Sequence, residues 1–223
     1  MSGTAIAPLA IDVVSDVMCP WCYIGKRRLE RALALAAPLA VTVRWRPYQL
    51  DPTLPPEGKD RGTYLSDKFG DPGRIAAMHE RLSETGAAEG IAFDFAAIRV
   101  SPNTLDAHRL SRWALTAGVQ DAVIEALFRA YFVEGRDVGD HEVLVAIAAA
   151  AGMEPEVVAR LLAGDADRAR IEEEVALARR VGVTGVPTFI LADRYAVVGA
   201  QAAETIADAL GAVARETAAN SGR

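Results

Sequence analysis

The alternation of apolar and polar positions opens with a short buried strand. Residues 10–15, Ala-Ile-Asp-Val-Val-Ser, are rich in β-branched side chains. The period changes at Trp21. Gly25, Leu29, Ala32, Leu33 and Ala36 recur at i, i+4, i+7, i+8 and i+11, one stripe of an amphipathic helix expected to end near Pro38. Val41, Val43 and Trp45 then alternate with Thr42, Arg44 and Arg46, which predicts a second strand closing at Pro47. Strand, helix and strand over 10–47 make a βαβ unit, with a right-handed crossover and parallel strands.

A proline- and glycine-rich break, residues 51–62, ends this unit. From there to about residue 163 the pattern is helical. Helices are expected over Thr63–Phe69, Pro72–Thr85, Asp121–Val133, His141–Ala151 and Glu154–Ala163, with a short extended or turn segment at Ile91–Phe95. Another helix should open at Pro102-Asn103-Thr104, with Asn103 as its cap and Leu105, Leu110, Trp113 and Ala114 as contacts. The mixed pattern then resumes. Asp165 can cap a helix with Ile171, Val175, Ala178 and Val181 on one face, ended by Gly182. Thr188–Leu191 and Tyr195–Val198 read as a hairpin, and Ile206, Leu210, Val213 and Thr217 mark a closing helix before a frayed tail at 218–223. The chain thus reads as βαβ, helical insertion, αββα.

Composition narrows the class. With 51% hydrophobic and 24% charged residues, the 223-residue chain can bury a full core and is not disordered. A net charge of −6 argues against a nucleic-acid partner. The start, Met-Ser-Gly-Thr-Ala-Ile-Ala-Pro, has neither a basic n-region nor a long apolar run. No signal peptide, no transmembrane helix and a cytosolic address are therefore expected.

Both cysteines of the chain stand at the strand-to-helix transition, in Asp16-Val-Met-Cys-Pro-Trp-Cys-Tyr-Ile-Gly25. Cys19 falls at the helix N-terminus, with Pro20 in the first turn, where its missing N–H costs nothing. A free thiol is only about 3% thiolate at neutral pH, but unpaired N–H groups and the helix dipole favour an anion there. Cys22 lies one turn further in and should stay protonated until needed. The pair reads as an attacker and a resolver. Inert buried cysteines and half of a zinc site are the competing readings. Zinc lacks support, because there is no third cysteine and His79, His108 and His141 share no ligand spacing. No metal site is expected. In a reducing compartment a lone C-x-x-C is more often redox-active than a structural staple.

Residues 182–189, Gly-Val-Thr-Gly-Val-Pro-Thr-Phe, lead into the hairpin, with Pro187 at the first position of a strand. An X-Pro bond accepts either isomer at small cost, and the sequence leaves the isomer open.

The chain resembles the DsbA-like thioredoxin-fold thiol-disulfide oxidoreductases, most closely their FrnE-type subgroup. The resemblance rests on 16–25, Ser101-Pro-Asn-Thr-Leu-Asp-Ala-His108, Phe132-Val-Glu-Gly-Arg-Asp137, Gly185-Val-Pro-Thr-Phe-Ile190 and Val198-Gly-Ala-Gln201. It implies an α/β thioredoxin fold carrying a large all-helical insertion, with 1–50 and 164–223 as the thioredoxin-like domain and 51–163 as the insertion. It also implies Cys19 as nucleophile, Cys22 as resolving thiol and Pro187 as a cis-proline facing them. Pro20, Trp21, Val186 and Pro187 would contact substrate, the Val186 backbone pairing with an extended peptide or a glutathione-like backbone. Trp21 stands where the strongly oxidising periplasmic members place histidine, so a potential nearer thioredoxin than the extreme of about −120 mV is expected.

The expected activity is exchange of disulfides with a protein, peptide or glutathione. It needs no metal or nucleotide, and glutathione serves at most as co-substrate. Two alternatives are a glutathione-dependent isomerase or transferase acting on a small aromatic or polyketide-like molecule, and a binding module with incidental thiols. Neither a membrane partner nor a dimerisation segment is indicated. Lys26, Arg27 and Arg28 read as a solvated helix face, or as an attraction for anionic substrates. Asn103, Asp106 and His108 read as capping and a partly buried histidine, or as the lining of a cleft above Cys19. His79 and His141 are expected at the surface, and Trp45 and Trp113 in the core.

Overall fold

The computed structural model describes residues 8–221. The absence of a signal peptide, read from the first residues, lies outside them, as does the end of the expected tail. The elements in order are β1 (Leu9–Ser15), α1 (Pro20–Leu35), β2 (Val41–Pro47), β3 (Lys59–Asp60), α2 (Arg61–Phe69), α3 (Pro72–Ala88), β4 (Val100–Ser101), α4 (Leu105–Thr116) and α5 (Gln120–Phe132). They continue with α6 (His141–Ala150), α7 (Pro155–Ala163), α8 (Arg168–Arg180), β5 (Thr188–Leu191), β6 (Tyr195–Val198) and α9 (Ala203–Ser221).

β1, whose apolar residues are buried, lies inside a four-stranded sheet of order β2-β1-β5-β6. It pairs parallel with β2, Val13 opposite Trp45, and antiparallel with β5, Val14 opposite Thr188. The expected βαβ unit and hairpin are both present. The hairpin turn holds Ala192 and Asp193 at φ of 51° and 56°, the left-handed backbone that tight hairpins use. α9 runs on to Ser221 through the stretch expected to fray.

Several helix starts follow from single carboxylates. Asp60 accepts from the Thr63 N–H at 2.8 Å, Asp71 from Arg74 at 2.8 Å, and Asp140 from Glu142 at 2.7 Å. Two expected caps move by one or two residues. Thr104, not Asn103, is the residue before α4, although the Asn103 side chain still accepts from the Leu105 N–H at 3.0 Å. Asp167, not Asp165, precedes α8. Its carboxylate is taken by Trp113 Nε1 at 2.8 Å and by Arg112, which ties α8 to α4. The insertion expected to be all-helical, 51–163, also contains a small antiparallel ladder, β3 with β4. Two residues per strand are too few to show a period.

One apolar cluster joins Ile11, Val13, Ile24 and Phe189 of the sheet and α1 to Phe128, Phe132 and Leu144 of the insertion. Tyr23 of α1 stacks on Phe128 of α5, ring centroids 5.0 Å apart. Gln120 of α5 donates to the Trp45 carbonyl and accepts from its N–H, at 3.0 and 2.9 Å, as a neighbouring strand would. Trp45 is buried as expected, and Trp113 packs half-buried against the core.

The basic run after the cysteine pair is not a solvated face. Lys26 is 2% exposed and pairs with Glu30, Asp121 and Glu125. Arg27 pairs with Glu30 and Glu125, and Arg28 with Glu89 while also donating to the Ala200 carbonyl. These cations therefore tie α1 to its surroundings.

Asp106 gathers Arg109, Arg168 and His141, and Arg109 also donates to the Leu161, Gly164 and Ala166 carbonyls. Burial works against the Asp106 charge, but hydrogen bonds from Arg109 and His141 outweigh it and hold the carboxyl below its ordinary range. The unfolded chain therefore takes up this proton first as pH falls. The resulting stability is complete above the ordinary carboxylate range, about pH 4, and is lost as pH falls through the depressed value. Asp106→Asn should lower the urea midpoint at neutral pH. The gap to the parent should close below about pH 4, as read by urea titrations at several pH values.

Candidate active site

The local sequence delivers both cysteines to one end of the sheet. β1 ends at Ser15, the Cys19 N–H donates to the Asp16 carbonyl at 3.0 Å, and α1 starts at Pro20. Cys19 is the residue before the helix, extended at φ −94° and ψ 113°. The buried Asp16 carboxylate fixes this corner by accepting from Leu50 N–H at 2.7 Å and Met18 N–H at 3.4 Å. His108 Nε2 lies 3.5 Å from the same carboxylate and 2.8 Å from the Tyr48 carbonyl.

Val186 and Pro187 arrive from the far end of the chain. The Cys19 thiol points to the Val186 carbonyl, Sγ to O 3.7 Å, across 167 positions of sequence. The Val186–Pro187 bond is cis, as is Ala37–Pro38. Thr188 Oγ1 donates to the Gly185 carbonyl and the Gly199 N–H to the Pro187 carbonyl, each at 2.8 Å. Gly25 permits the approach. A Cβ there would lie 2.7 Å from Pro187 Cγ and 3.4 Å from Phe189 Cζ.

The two thiols are free and differ in surroundings. Cys19 is 4% exposed at the wall of a cleft, whereas Cys22 is fully buried behind it. Burial pushes the Cys22 thiol well above its ordinary range, and its hydrogen bond to Cys19 and the Cys19 charge push the same way. Ser15 and the Asp16 backbone pull it only part of the way back.

The cleft beside Cys19 has a volume of about 360 Å³. Pro20, Trp21 and Val186 help to line it, so the structure brings these predicted residues to one place. α2 and α3 supply much of the wall, including Arg61, Tyr64, Leu65, Met78 and Leu82, none of which the sequence marks as part of a site. His79, expected at the surface, is half-buried and lines the cleft as well. Asn103, Asp106 and His108 do not line it. Asn103 instead accepts from Gln49 and donates to the Leu54 carbonyl. His141 is exposed and bonds Asp106. Larger hollows, about 560 Å³ between α1 and α9 and about 450 Å³ beside Trp113 and α7, lie away from the thiols. Among the described residues no cluster of His, Cys, Asp and Glu is arranged to hold a metal ion, and no helix is long and apolar enough to cross a membrane.

A C-x-x-C pair opening a helix against an X-Pro loop on a mixed sheet defines a protein of the thioredoxin class. The profile of the DSBA-like thioredoxin domain matches residues 10–211, and the chain belongs to that family. A Streptomyces coelicolor protein described as a probable DsbA oxidoreductase is 36% identical, with a TM-score of 0.83 over 91% of this chain and 88% of that one. Two more distant structures share the fold. One is a 2-hydroxychromene-2-carboxylate isomerase, 20% identical, TM-score 0.71, matching 94% of this chain and 98% of that one. The other is the cytosolic disulfide reductase DsbM of Pseudomonas aeruginosa, solved with GSH, 20% identical, TM-score 0.64, matching 93% and 100%.

Two outcomes follow from this geometry. Iodoacetamide near neutral pH should label Cys19 and spare Cys22 in the native protein, as mapped by peptide mass. Comparable labelling of both would contradict the asymmetry. Gly25→Ala should cost about 1–3 kcal/mol through overpacking against Pro187, despite the better helix propensity of alanine, as read from the denaturant midpoint.

Proposed function

We propose that this protein is a dithiol–disulfide oxidoreductase of the FrnE type in which Cys19 exchanges disulfides and Cys22 resolves them. The observation that carries the reading is the placement of the Cys19 thiol. It sits before a helix N-terminus, 3.7 Å from the Val186 carbonyl and on the wall of a cleft, with Cys22 buried one turn behind. In the reducing direction the Cys19 thiolate attacks one sulfur of a substrate disulfide, forming a mixed disulfide and releasing the other sulfur as thiolate. Cys22, after losing its proton, attacks Cys19 Sγ and releases the second thiolate, so two electrons pass to the substrate. The oxidising direction runs these steps backwards. The high cost of ionising Cys22 keeps it from competing for substrate before the mixed disulfide forms. Pro20, Trp21, Val186 and Pro187 form the surface a substrate meets, the Val186 backbone offering one residue of strand-like pairing.

Glutathione or a protein dithiol is the electron partner in this reading, in a cytosolic setting. The cytosolic disulfide reductase DsbM, solved with GSH, supports both points through its shared fold. The cleft, mostly apolar and large enough for a small molecule, favours a second reading. This is a glutathione-dependent isomerase acting on an aromatic substrate, of the kind named for the 2-hydroxychromene-2-carboxylate isomerase of the same fold.

Equilibration in glutathione redox buffers, read by alkylation and mass, separates the two. The oxidoreductase predicts one two-electron transition between about −270 and −120 mV and a Cys22→Ser variant that accumulates mixed disulfides. Bound glutathione without a Cys19–Cys22 disulfide, and an isomerase activity surviving Cys22→Ser, would overturn it.

A further inference from the structure

Beside Cys19 the chain holds a positive charge that it does not itself neutralise. Arg61, the first residue of α2, is 9% exposed and forms part of the cleft wall. Its Nη1 donates to Tyr131 Oη at 3.2 Å and to Ser101 Oγ at 3.4 Å, both uncharged. Its Nε–H has no acceptor. Arg61 makes no ion pair among the described residues, although buried guanidinium groups are ordinarily matched by a carboxylate. By contrast, the buried Lys26 and Arg109 each hold carboxylates.

His79 repeats the pattern on the same wall. Its ring stacks on Phe95 with centroids 4.4 Å apart, and its Nε2 is buried without a partner. Burial, helped by the Arg61 charge, holds the imidazole below its ordinary pKa and so neutral. Lys68, which donates to Tyr64 Oη at 2.7 Å, and Arg81, over the Trp21 ring at 6.0 Å, add cations near the cleft. The remaining wall is apolar, with Met18, Trp21, Leu65, Met78 and Leu82. An acidic chain of net charge −6 has thus left a cationic, aromatic-lined hollow next to its reactive thiol.

We propose that this cleft selects a small thiol or disulfide whose aromatic or otherwise apolar body carries a carboxylate, the carboxylate pairing with the Arg61 guanidinium while the sulfur meets Cys19. The inference rests on the oxidoreductase reading and names its substrate class. Such a carboxylate would complete the buried guanidinium, and the flat apolar body would fill the space between Trp21 and Met78. With a diaryl disulfide, Cys19 attacks one sulfur and expels one aryl thiolate. Cys22 then attacks Cys19 and expels the second, leaving the Cys19–Cys22 disulfide and two aryl thiolates.

The test compares two aromatic disulfides, dithiobis(nitrobenzoate), with a carboxylate on each ring, and dithiodipyridine, with none. Free glutathione supplies the reference ratio of rates. The reduced protein should favour the carboxylate reagent by about tenfold or more over that reference, as expected of a charge-assisted hydrogen bond. Benzoate should compete with it and benzamide should not. Arg61→Gln should remove the preference, bringing the ratio of the two rates to the glutathione reference, since the charged partner is lost. Equal slowing of both reagents in the variant would overturn the proposal by assigning Arg61 to the fold. A wild-type protein with no preference and no protection by benzoate would overturn it whether or not the variant folds. Failure of the underlying reading looks different: dithiodipyridine would then release one thiopyridone per chain and leave no Cys19–Cys22 disulfide.

Discussion

The site depends on a contact that only a glycine allows. α1 passes so close to the Pro187 ring that a single added carbon on Gly25 would overlap it. The pairing of Val14 with Thr188 sets how far along the sheet the loop stands, and Thr188 and Gly199 hold its shape. These constraints carry the Val186 carbonyl to the Cys19 thiol. Without them the cysteines would still open a helix, but nothing from the far end of the chain would face them.

Much of this frame was legible in the sequence. The strand, the helix and the second strand each show their own period, and the C-x-x-C pair sits where the period changes. The hairpin could be read for the same reason, whereas the place of Pro187 opposite the cysteines rested on the family resemblance. Lys26 could not be read. A lysine followed by two arginines has the look of a solvated face, and its burial depends on Asp121 and Glu125 of α5, about a hundred positions away. Helix starts were misplaced at α4 and α8, where two nearby polar side chains could each cap and tertiary partners decided between them. Trp113 and Arg112 claim the Asp167 carboxylate, a choice that local sequence does not carry.

The cleft was the least legible part. Arg61, His79 and Met78 become neighbours of Cys19 only because α2 and α3 fold over the end of the sheet, and none belongs to a motif. Charge counting also pointed away from it, since an acidic total hides a local excess of cations. A chain can be negative on average and still present a positive pocket, because most of its arginines are spent on carboxylates of its own. What distinguishes Arg61 is that it is buried without such a partner.

The pairing of Gln120 with the backbone of Trp45 reaches beyond the site. β2 is the outermost strand on its side, and an uncovered strand edge can template the addition of strands from other molecules. Here a side-chain amide from α5 occupies two of the edge's hydrogen-bonding groups. On the opposite edge, β6 keeps Tyr195, Ala196 and Val198 exposed. α5 thus shields part of this edge, and trimming the chain to its sheet and flanking helices would bare the two groups that Gln120 now occupies.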